Sequence, residues 1–450
     1  MNTALYFREM KPHIIIQLHP SGSNPRLRYW EDIIENKQGV SKNFLPPIDS
    51  LLREKYNLDF LPTQNYRSDK AVWNSEEIQT GLNRIYRLVL LSNNPEIPKS
   101  LIDEIRLIPQ VSFVQPGKII TSSIPDQKFS KDQSLSQKYL DNSIYLEDAH
   151  RITKGVPEIK IAVLDTGIET SHFEFQNNSR DDRRNNSKFE GDKDFVDILD
   201  GADKFIGDFL KMDNVPDDHV GHGTHVAGII GSLGKKMPLG VAPKCTIIPI
   251  KVLGALKSGN SVVGAGLVDN INSGIHYAVN AGADVINMSL GIKHTGGGLP
   301  HEGVIRYALK KNVTVVAASG NDGKKDKYYP GALEGVIAVG ASDNLGYVAP
   351  FSTYGGHVSV TAPGVNIYST SLSNGYAMAS GTSQAAPIVS GVIALLKSRA
   401  LEKGKRVDNA LITNIIHQTT DKFTSQYRDQ KSGFGRINVL DALKMLEYNL

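Results

Sequence analysis

The sequence GTSQAAP spans residues 381–387 and runs directly into the apolar stretch Ile388–Leu396. This pattern predicts a helix whose N-terminus lies beside Ser383. Backbone N–H groups lack partners at a helix N-terminus, and the helix dipole favours negative charge there. That environment suits a nucleophilic serine, because an oxyanion forms at the carbonyl that the serine attacks. Serine is also a common helix-capping residue, so the segment alone leaves both roles open.

Two other segments supply a base and an orienting acid. The sequence GHGTHVAG, residues 221–228, places His222 among glycines at the start of a second apolar helix. The sequence IKIAVLDTG, residues 159–167, predicts a short buried strand that ends at Asp165. In open α/β sheets, binding sites form beyond the carboxyl ends of the strands. We therefore expect Asp165 to orient His222, and His222 to accept the proton of Ser383.

The order Asp165, His222, Ser383 resembles that of the subtilase family of serine proteases, and the resemblance covers about residues 135–450. It implies a serine endopeptidase that works through an acyl-enzyme and acts on protein or peptide substrates. It also implies an α/β fold with a subtilisin-like, doubly wound parallel sheet. No G-x-S-x-G sequence surrounds Ser383, which argues against a lipase or esterase.

The resemblance implies further site residues. Asn321 follows a predicted strand and is the expected side-chain donor to the oxyanion, together with the backbone N–H of Ser383. The alternative for Asn321 is a simple Asn-Asp-Gly turn. An extended peptide is expected to bind as an added strand between two walls of the cleft. The expected substrate-binding residues are Ser258, Gly259, Ser289, Leu290, Gly291, Ala318, Ser319 and Gly320.

The floor of the specificity pocket departs from the simplest family pattern. Tyr328 stands where small subtilisins carry a small residue, so the pocket is shortened if the ring points inward and open if it points outward. Asp322 lies at the expected pocket mouth, where it either attracts a basic side chain or is a solvated turn residue. The Tyr329–Pro330 bond is a candidate cis peptide by the same resemblance.

Residues 1–120 precede the catalytic pattern. Strands near 13–18, 58–66, 84–91 and 111–114, with helices near 47–56 and 97–108, predict the ferredoxin-like order β-α-β-β-α-β. Subtilase propeptides have that shape, so the resemblance implies a small α+β prodomain that inhibits its own protease, making the chain a self-inhibited zymogen. The expected division is a propeptide-like domain at 1–120, a linker at 121–138 and a catalytic domain at 139–450. Cleavage is expected within 117–138, and an ordinary accessory domain is the alternative.

Composition excludes several classes of function. The chain has 450 residues, of which 40% are hydrophobic and 22% charged, with a net charge of +3. No basic patch is interleaved with aromatic residues, which argues against nucleic-acid binding. No apolar run reaches the roughly 18–20 residues that span a bilayer, so no membrane partner is expected. Residues 1–10 do not resemble a secretory signal, so we expect a cytoplasmic protein, or a secreted one if a signal has been removed.

Metal binding is not expected from the sequence. Residues 176–218 form an insertion of mixed charge, predicted to be a surface loop, and its acids lack EF-hand spacing. Compared with the family, residues 231–238 lack the oxygen side chains of one calcium site, and Ser359 stands where many relatives have an aspartate. Calcium therefore stays a possibility only outside the familiar sites, and no other cofactor is expected. The rival function is a protease-fold scaffold or binding module kept inactive by its N-terminal domain.

Two remaining residues have simple expected roles. Cys245 is the only cysteine, which rules out an intramolecular disulfide, and it lies in a strand-like run where a small buried side chain fits. His225 follows His222 by one helical turn. A packed structural histidine is expected there rather than a metal ligand, because no ligand cluster accompanies it.

Overall fold

The computed structural model describes residues 12–21, 24–30, 32–33, 41–68, 72–91, 96–122, 143–176, 188–197, 204–294 and 299–450. The N-terminal elements are β1 (His13–Leu18), α1 (Pro46–Ser50, continued by a π-helical turn at Leu51–Lys55), β2 (Phe60–Gln64), α2 (Ser75–Thr80), a 3₁₀ turn (Leu82–Arg84), β3 (Ile85–Leu90), α3 (Lys99–Arg106) and β4 (Val111–Pro116).

The four N-terminal strands form one antiparallel sheet in the order β2-β3-β1-β4. Alternation along β1 directs Ile14 and Ile16 into a core that α1 and α3 cover. Arg87 of β3 faces the opposite way, toward the second part of the chain. This is the ferredoxin-like order that the sequence predicted, with α2 added between β2 and β3.

The elements that follow are β5 (Ile119–Ser122), α4 (Leu146–Ile152), β6 (Lys160–Asp165), a 3₁₀ turn (Phe173–Phe175), β7 (Lys193–Asp194), β8 (Phe205–Ile206), α5 (His222–Gly231), β9 (Thr246–Lys251), β10 (Gly254–Ser258), β11 (Ser261–Leu267), α6 (Val268–Asn280), β12 (Val285–Met288), β13 (Ile292–Lys293), α7 (Glu302–Lys310), β14 (Thr314–Ala318), β15 (Tyr328–Tyr329), β16 (Ile337–Ser342), β17 (Val358–Pro363), β18 (Ile367–Ser371), β19 (Gly375–Ala379), α8 (Thr382–Glu402), α9 (Asn409–Gln418) and α10 (Val439–Asn449).

A seven-stranded parallel sheet forms the centre of this second part. Its order is β17-β16-β14-β12-β6-β9-β7. Both faces are covered, because Ile161 and Val163 pack into the core shared with α5 and α8, whereas Ala162 and Leu164 pack into the core shared with α6 and α7. Strands buried on both faces read as continuous apolar runs, as β6 does. The predicted doubly wound sheet is confirmed.

The order of the strands determines where the site forms. Strands β6, β12 and β14 are neighbours in the sheet, and all run in the same direction. Their carboxyl ends therefore lie side by side at one edge. Asp165 ends β6, Ser289 follows β12, and Ser319 follows β14.

The N-terminal part of the chain packs on α6 and α7 of the second part, and its sheet contacts α6 through buried charges. Asp269 of α6 accepts a hydrogen bond from His13 at 3.3 Å and pairs with the guanidinium of Arg87. Arg87 also donates to Asn270 at 2.8 Å. Burial would raise the pKa of Asp269, but Arg87 and His13 hold it well below its ordinary value.

A second polar cluster joins α2 to the same two helices. Glu77 accepts from His276 at 2.6 Å, and Asn74 donates to Tyr307 at 3.1 Å. Burial would raise the pKa of Glu77, but the hydrogen bond from His276 lowers it. The two clusters hold the N-terminal elements against the two helices that cover one face of the parallel sheet. Among the described residues, no helix combines the length and apolar character needed to cross a membrane.

The insertion between β6 and α5 is only partly a surface loop. Residues 177–187 and 198–203 of it lie outside the described residues. The described part adds β7 to the edge of the parallel sheet beside β9 and buries Asp194 completely. The prediction of a surface loop is therefore wrong for this part, because Asp194 pairs with the buried ammonium of Lys251 at 2.7 Å.

Candidate active site

Asp165 and His222 meet at the carboxyl end of β6. The Nδ1 atom of His222 lies 2.7 Å from Oδ1 of Asp165, and both side chains are buried. Oδ1 of Asp165 also accepts from the backbone N–H of Thr166 at 2.8 Å. Gly223 can approach this strand closely, since a Cβ there would lie only 2.1 Å from the carbonyl oxygen of Gly167. The glycine after His222 thus lets α5 begin against the end of β6.

Ser383 is the second residue of α8, so its backbone N–H has no partner within the helix. Its hydroxyl donates to the carbonyl oxygen of Ser289 at 3.1 Å. The Nε2 atom of His222 is buried and has no hydrogen-bond partner among the described residues. The helix N-terminus predicted beside Ser383 is present, and α8 begins at Thr382.

Two carboxylates act on the pKa of His222. Burial alone would lower the pKa of His222, but the carboxylates of Asp165 and Asp218 raise it above its ordinary value. His225, one turn later, has the opposite environment. Burial and the neighbouring His222 lower the pKa of His225 to about 4, and its Nε2 lies 3.1 Å from the carbonyl oxygen of Ala377. This agrees with the structural role predicted for His225.

Asp218 is a site residue that the sequence reasoning missed. Its Oδ1 accepts from the hydroxyl of Thr166 and the N–H groups of Val220 and Gly221 at 2.8–2.9 Å. Its Oδ2 accepts from the N–H of Thr224 at 3.0 Å and from its hydroxyl at 2.7 Å. Burial raises the pKa of Asp218, although these donors oppose the shift. The sequence feature that could have revealed it is its position as an acidic residue four residues before His222.

Asn321 lies in the turn after β14, opposite the start of α8. Its amide oxygen accepts from the N–H of Thr382 at 2.8 Å and from the Thr382 hydroxyl at 2.9 Å. The oxygen is thereby engaged, which leaves the NH₂ group as the donor available to a ligand. Asn321 is therefore more than a turn residue, because it is tied to the helix that carries Ser383.

Comparisons with known proteins agree with this geometry. A sequence model of peptidase family S8, the subtilase family, matches residues 157–435, more than half of the chain. The chain belongs to the subtilase family. A thermophilic serine proteinase of Bacillus sp. (strain AK1) is 34% identical over 339 residues, covering 74% of this chain and 73% of that protein. Thermitase of Thermoactinomyces vulgaris is 35% identical over 315 residues, covering 69% of this chain and 96% of that protein.

A solved structure is similar to this chain in fold and sequence. The prenylagaramide maturation protease PagA aligns with a TM-score of 0.53 at 29% identity, covering 67% of this chain and 98% of that one. The relatives are serine proteinases of the subtilisin type, and this subtilase is a subtilisin-like serine endopeptidase.

The two expected cleft walls of the subtilase converge on Ser383. Ser289 donates its hydroxyl to the carbonyl oxygen of Ser383 at 2.8 Å, and the N–H of Gly320 donates to Thr382 at 3.2 Å. Ser319 is buried and donates to the carbonyl of Thr353 at 2.9 Å. The other expected wall residues lie on the same two segments and are Leu290, Gly291 and Ala318. The Tyr329–Pro330 bond is cis, as expected.

The resemblance placed the opposite rim of the cleft at Ser258 and Gly259. Ser258 and Gly259 lie at the exposed tip of the hairpin formed by β10 and β11, and a Cβ on Gly259 would touch nothing within 4 Å. The strand edge that another segment occupies is instead Gly264–Leu267 of β11, which pairs antiparallel with β5. Ser258 and Gly259 therefore stay predicted rim residues, and Gly264–Leu267 is the part of the hairpin that a neighbouring strand pairs with.

The loop at residues 231–238 does not suit a calcium ion. The buried carboxylate of Glu174 occupies it and accepts hydrogen bonds from the N–H groups of Lys235, Lys236 and Met237 at 2.6–3.1 Å. Inward-pointing N–H groups repel a cation, which needs oxygen ligands. Ser359 likewise lies within β17, where its carbonyl accepts from Phe434 at 2.7 Å.

Within the described ranges, one cluster brings three carboxylates close together. Carboxylate oxygens of Asp194, Asp208 and Asp213 lie within 4.8 Å of one another. Lys251 already places its ammonium against Asp194 and donates to the carbonyl oxygen of Asp208 at 2.9 Å. Burial raises the pKa of Asp194 to about 7. The lysine supplies the positive charge that a metal would otherwise bring.

Proposed function

We propose that this subtilase hydrolyses peptide bonds with Ser383 as nucleophile, His222 as general base and Asp165 as the residue that orients His222. The observation that carries the proposal is the 2.7 Å contact between Nδ1 of His222 and the buried Asp165 carboxylate. This contact keeps a proton on Nδ1, so Nε2 carries the lone pair that a base needs.

The reaction proceeds through an acyl-enzyme. The hydroxyl of Ser383 leaves the carbonyl of Ser289 and turns to Nε2 of His222, which takes its proton as Oγ bonds to the substrate carbonyl carbon. The resulting oxyanion accepts hydrogen bonds from the NH₂ group of Asn321 and the backbone N–H of Ser383. His222 then protonates the leaving amine as the C–N bond breaks. A water molecule repeats the sequence and releases the acid.

The N-terminal domain acts as an inhibitor of this site within the same chain. Strand β5 continues directly from that domain and pairs with β11, from Ile119 opposite Leu267 to Ser122 opposite Gly264. A Cβ on Gly264 would lie 2.7 Å from the Cγ2 atom of Thr166, the neighbour of Asp165. Strand β5 therefore runs toward the catalytic acid in the manner of a bound peptide.

Covalent labelling tests the nucleophile and separates an enzyme from a scaffold. A fluorophosphonate should form one adduct, on the peptide that contains Ser383, and Ser383→Ala should abolish it. Ser425→Ala, a change at an exposed serine, should label like the wild type. Failure to label at any stage of processing would favour a binding module with a protease fold.

Self-processing is tested by mass spectrometry of the purified chain. The wild type should be cut within residues 117–138, of which 123–138 lie outside the described residues. The Ser383→Ala variant should keep its full length. If both proteins stay intact, self-processing is wrong. If both are cut at the same bond, another protease is responsible.

A further inference from the structure

The gap between the two cleft walls is filled by one aromatic ring. Strands β13 and β15 pair antiparallel at the floor of the gap, with Lys293 opposite Tyr328. A Cβ on Gly320 would lie 2.5 Å from Cδ2 and 2.7 Å from Cε2 of Tyr328. A Cβ on Gly291 would lie 3.2 Å from its Cβ and 3.5 Å from Cδ1. The two ring edges thus face the two walls, and the ring lies across the space between them.

The glycines make this arrangement possible. Gly320 has a φ of +110°, in the region that favours glycine, so a side chain at this position is disfavoured by both backbone and space. On the other wall, a Cβ at Gly291 would crowd the Cβ of Tyr328, at a distance of 3.2 Å. The absence of both side chains gives the Tyr328 ring a slot that the substrate would otherwise enter.

A charged network keeps the ring in that slot. Lys293 lies over the face of Tyr328, 5.2 Å from the ring centroid, and pairs with Asp322 at 2.6 Å and Asp326 at 2.5 Å. The hydroxyl of Tyr328 donates to Asp322 at 3.4 Å. A cation over an aromatic face adds attraction, and here the same lysine also neutralises the two acids.

The same network removes Asp322 as a receptor for a basic substrate. Besides Lys293, its carboxylate accepts from the hydroxyl of Thr353 at 2.6 Å and the N–H of Lys324 at 3.0 Å. An arginine or lysine side chain would have to displace the resident Lys293. Of the two roles open from the sequence, the structure favours the turn residue, with the difference that its carboxylate is paired with Lys293 rather than solvated.

We propose that Tyr328 closes the primary specificity pocket, so that this subtilase cleaves after small residues such as alanine, glycine or serine. The proposal rests on the function proposed for Ser383, because the pocket is defined by the carbonyl that Ser383 attacks. A large P1 side chain, on the residue that supplies this carbonyl, finds its space occupied. A small P1 side chain touches only the outer edge of the ring.

The test compares peptides that differ only at P1, carrying alanine, phenylalanine or arginine. The processed full-chain product is used, with active sites counted by fluorophosphonate labelling. The wild type should show kcat/KM for alanine at least about tenfold above that for phenylalanine or arginine. Tyr328→Ala should raise kcat/KM for the phenylalanine peptide, relative to that for the alanine peptide, by on the order of 10–100-fold. The reason is that the pocket gains the volume of the ring.

Two control variants separate the ring from its surroundings. Tyr328→Phe keeps the ring and should keep the preference for alanine. Tyr347→Ala, at an exposed turn, should leave kcat/KM unchanged for the alanine and the phenylalanine peptide. Equal cleavage after alanine and phenylalanine by the wild type would overturn the proposal, as would an unaltered ratio in Tyr328→Ala. A preference for arginine would overturn it as well. A protein that neither labels nor cleaves would instead refute the proposed function itself.

Discussion

Asp218 offers a sharp test of how the site is held together. Its carboxylate binds Thr166, which follows Asp165, and Thr224, in the first turn of the helix that begins at His222. In Asp218→Asn one carboxylate oxygen becomes an NH₂ group. If that group takes the Oδ1 position, it faces three donors. At the Oδ2 position it faces only the N–H and the hydroxyl of Thr224, so this is the less costly orientation.

The expected cost follows from the donors that remain unsatisfied. The Thr224 hydroxyl can turn and accept from the new NH₂ group, but the Thr224 N–H loses its acceptor. An orphaned buried N–H costs about 1–3 kcal/mol. The three remaining bonds become weaker, because a neutral oxygen replaces a charged one. The substitution also removes the cost of burying a charge, which offsets the weakening of these bonds. That cost is present because burial outweighs the hydrogen-bond donors and raises the pKa of Asp218.

The assays are thermal unfolding and the pH dependence of kcat/KM. We expect Asp218→Asn to lower the free energy of unfolding by about 1–3 kcal/mol. Displacement of His222 should lower kcat/KM by on the order of 10–100-fold. Loss of the Asp218 charge should also shift the acid limb of the pH profile downward, because that charge raises the pKa of His222. If Asp218→Asn behaves like Asp217→Asn, a change at the exposed neighbour, this reasoning is wrong.

Three other expectations follow from the same contacts. Activity should fall as the pH drops through the raised pKa of His222, because protonated His222 cannot accept a proton. Asp165→Asn removes a charge that raises this pKa, so the residual kcat/KM should fall at a lower pH. In a Ser383→Ala background, Asp269→Asn should leave Arg87 without its buried counter-charge and lower the free energy of unfolding by about 3–5 kcal/mol. Hydrogen exchange of the backbone amides of β1 and β3 should then increase, and unchanged exchange would contradict this. Excess EDTA should leave the melting temperature within a few degrees, because Glu174 fills the loop at 231–238; a larger fall would show a bound metal.

Much of the site could be read from local sequence. Asp165, His222 and Ser383 each stand at the end of a strand or the start of a helix, and such boundaries are marked by apolar runs and glycines. Asn321 was predicted from the resemblance to subtilases. Asp218 and Glu174 gave only a weak signal, because a buried carboxylate is recognised by the backbone N–H groups around it. Those N–H groups are set by the path of the chain.

The sequence alone determined the parallel sheet, the ferredoxin-like order and the residues proposed for chemistry. Apolar periodicity predicted the strands and helices within each segment, whereas the residues proposed for chemistry came from short motifs and their resemblance to subtilases. Only the tertiary structure decided the direction of Tyr328, the pairing of Gly264–Leu267 with β5 and the contact between Asp194 and Lys251. Each of these depends on distances between segments remote in sequence. Gly291 and Gly320, each just beyond the end of a different strand, leave the slot that the Tyr328 ring occupies, and no single segment records that match.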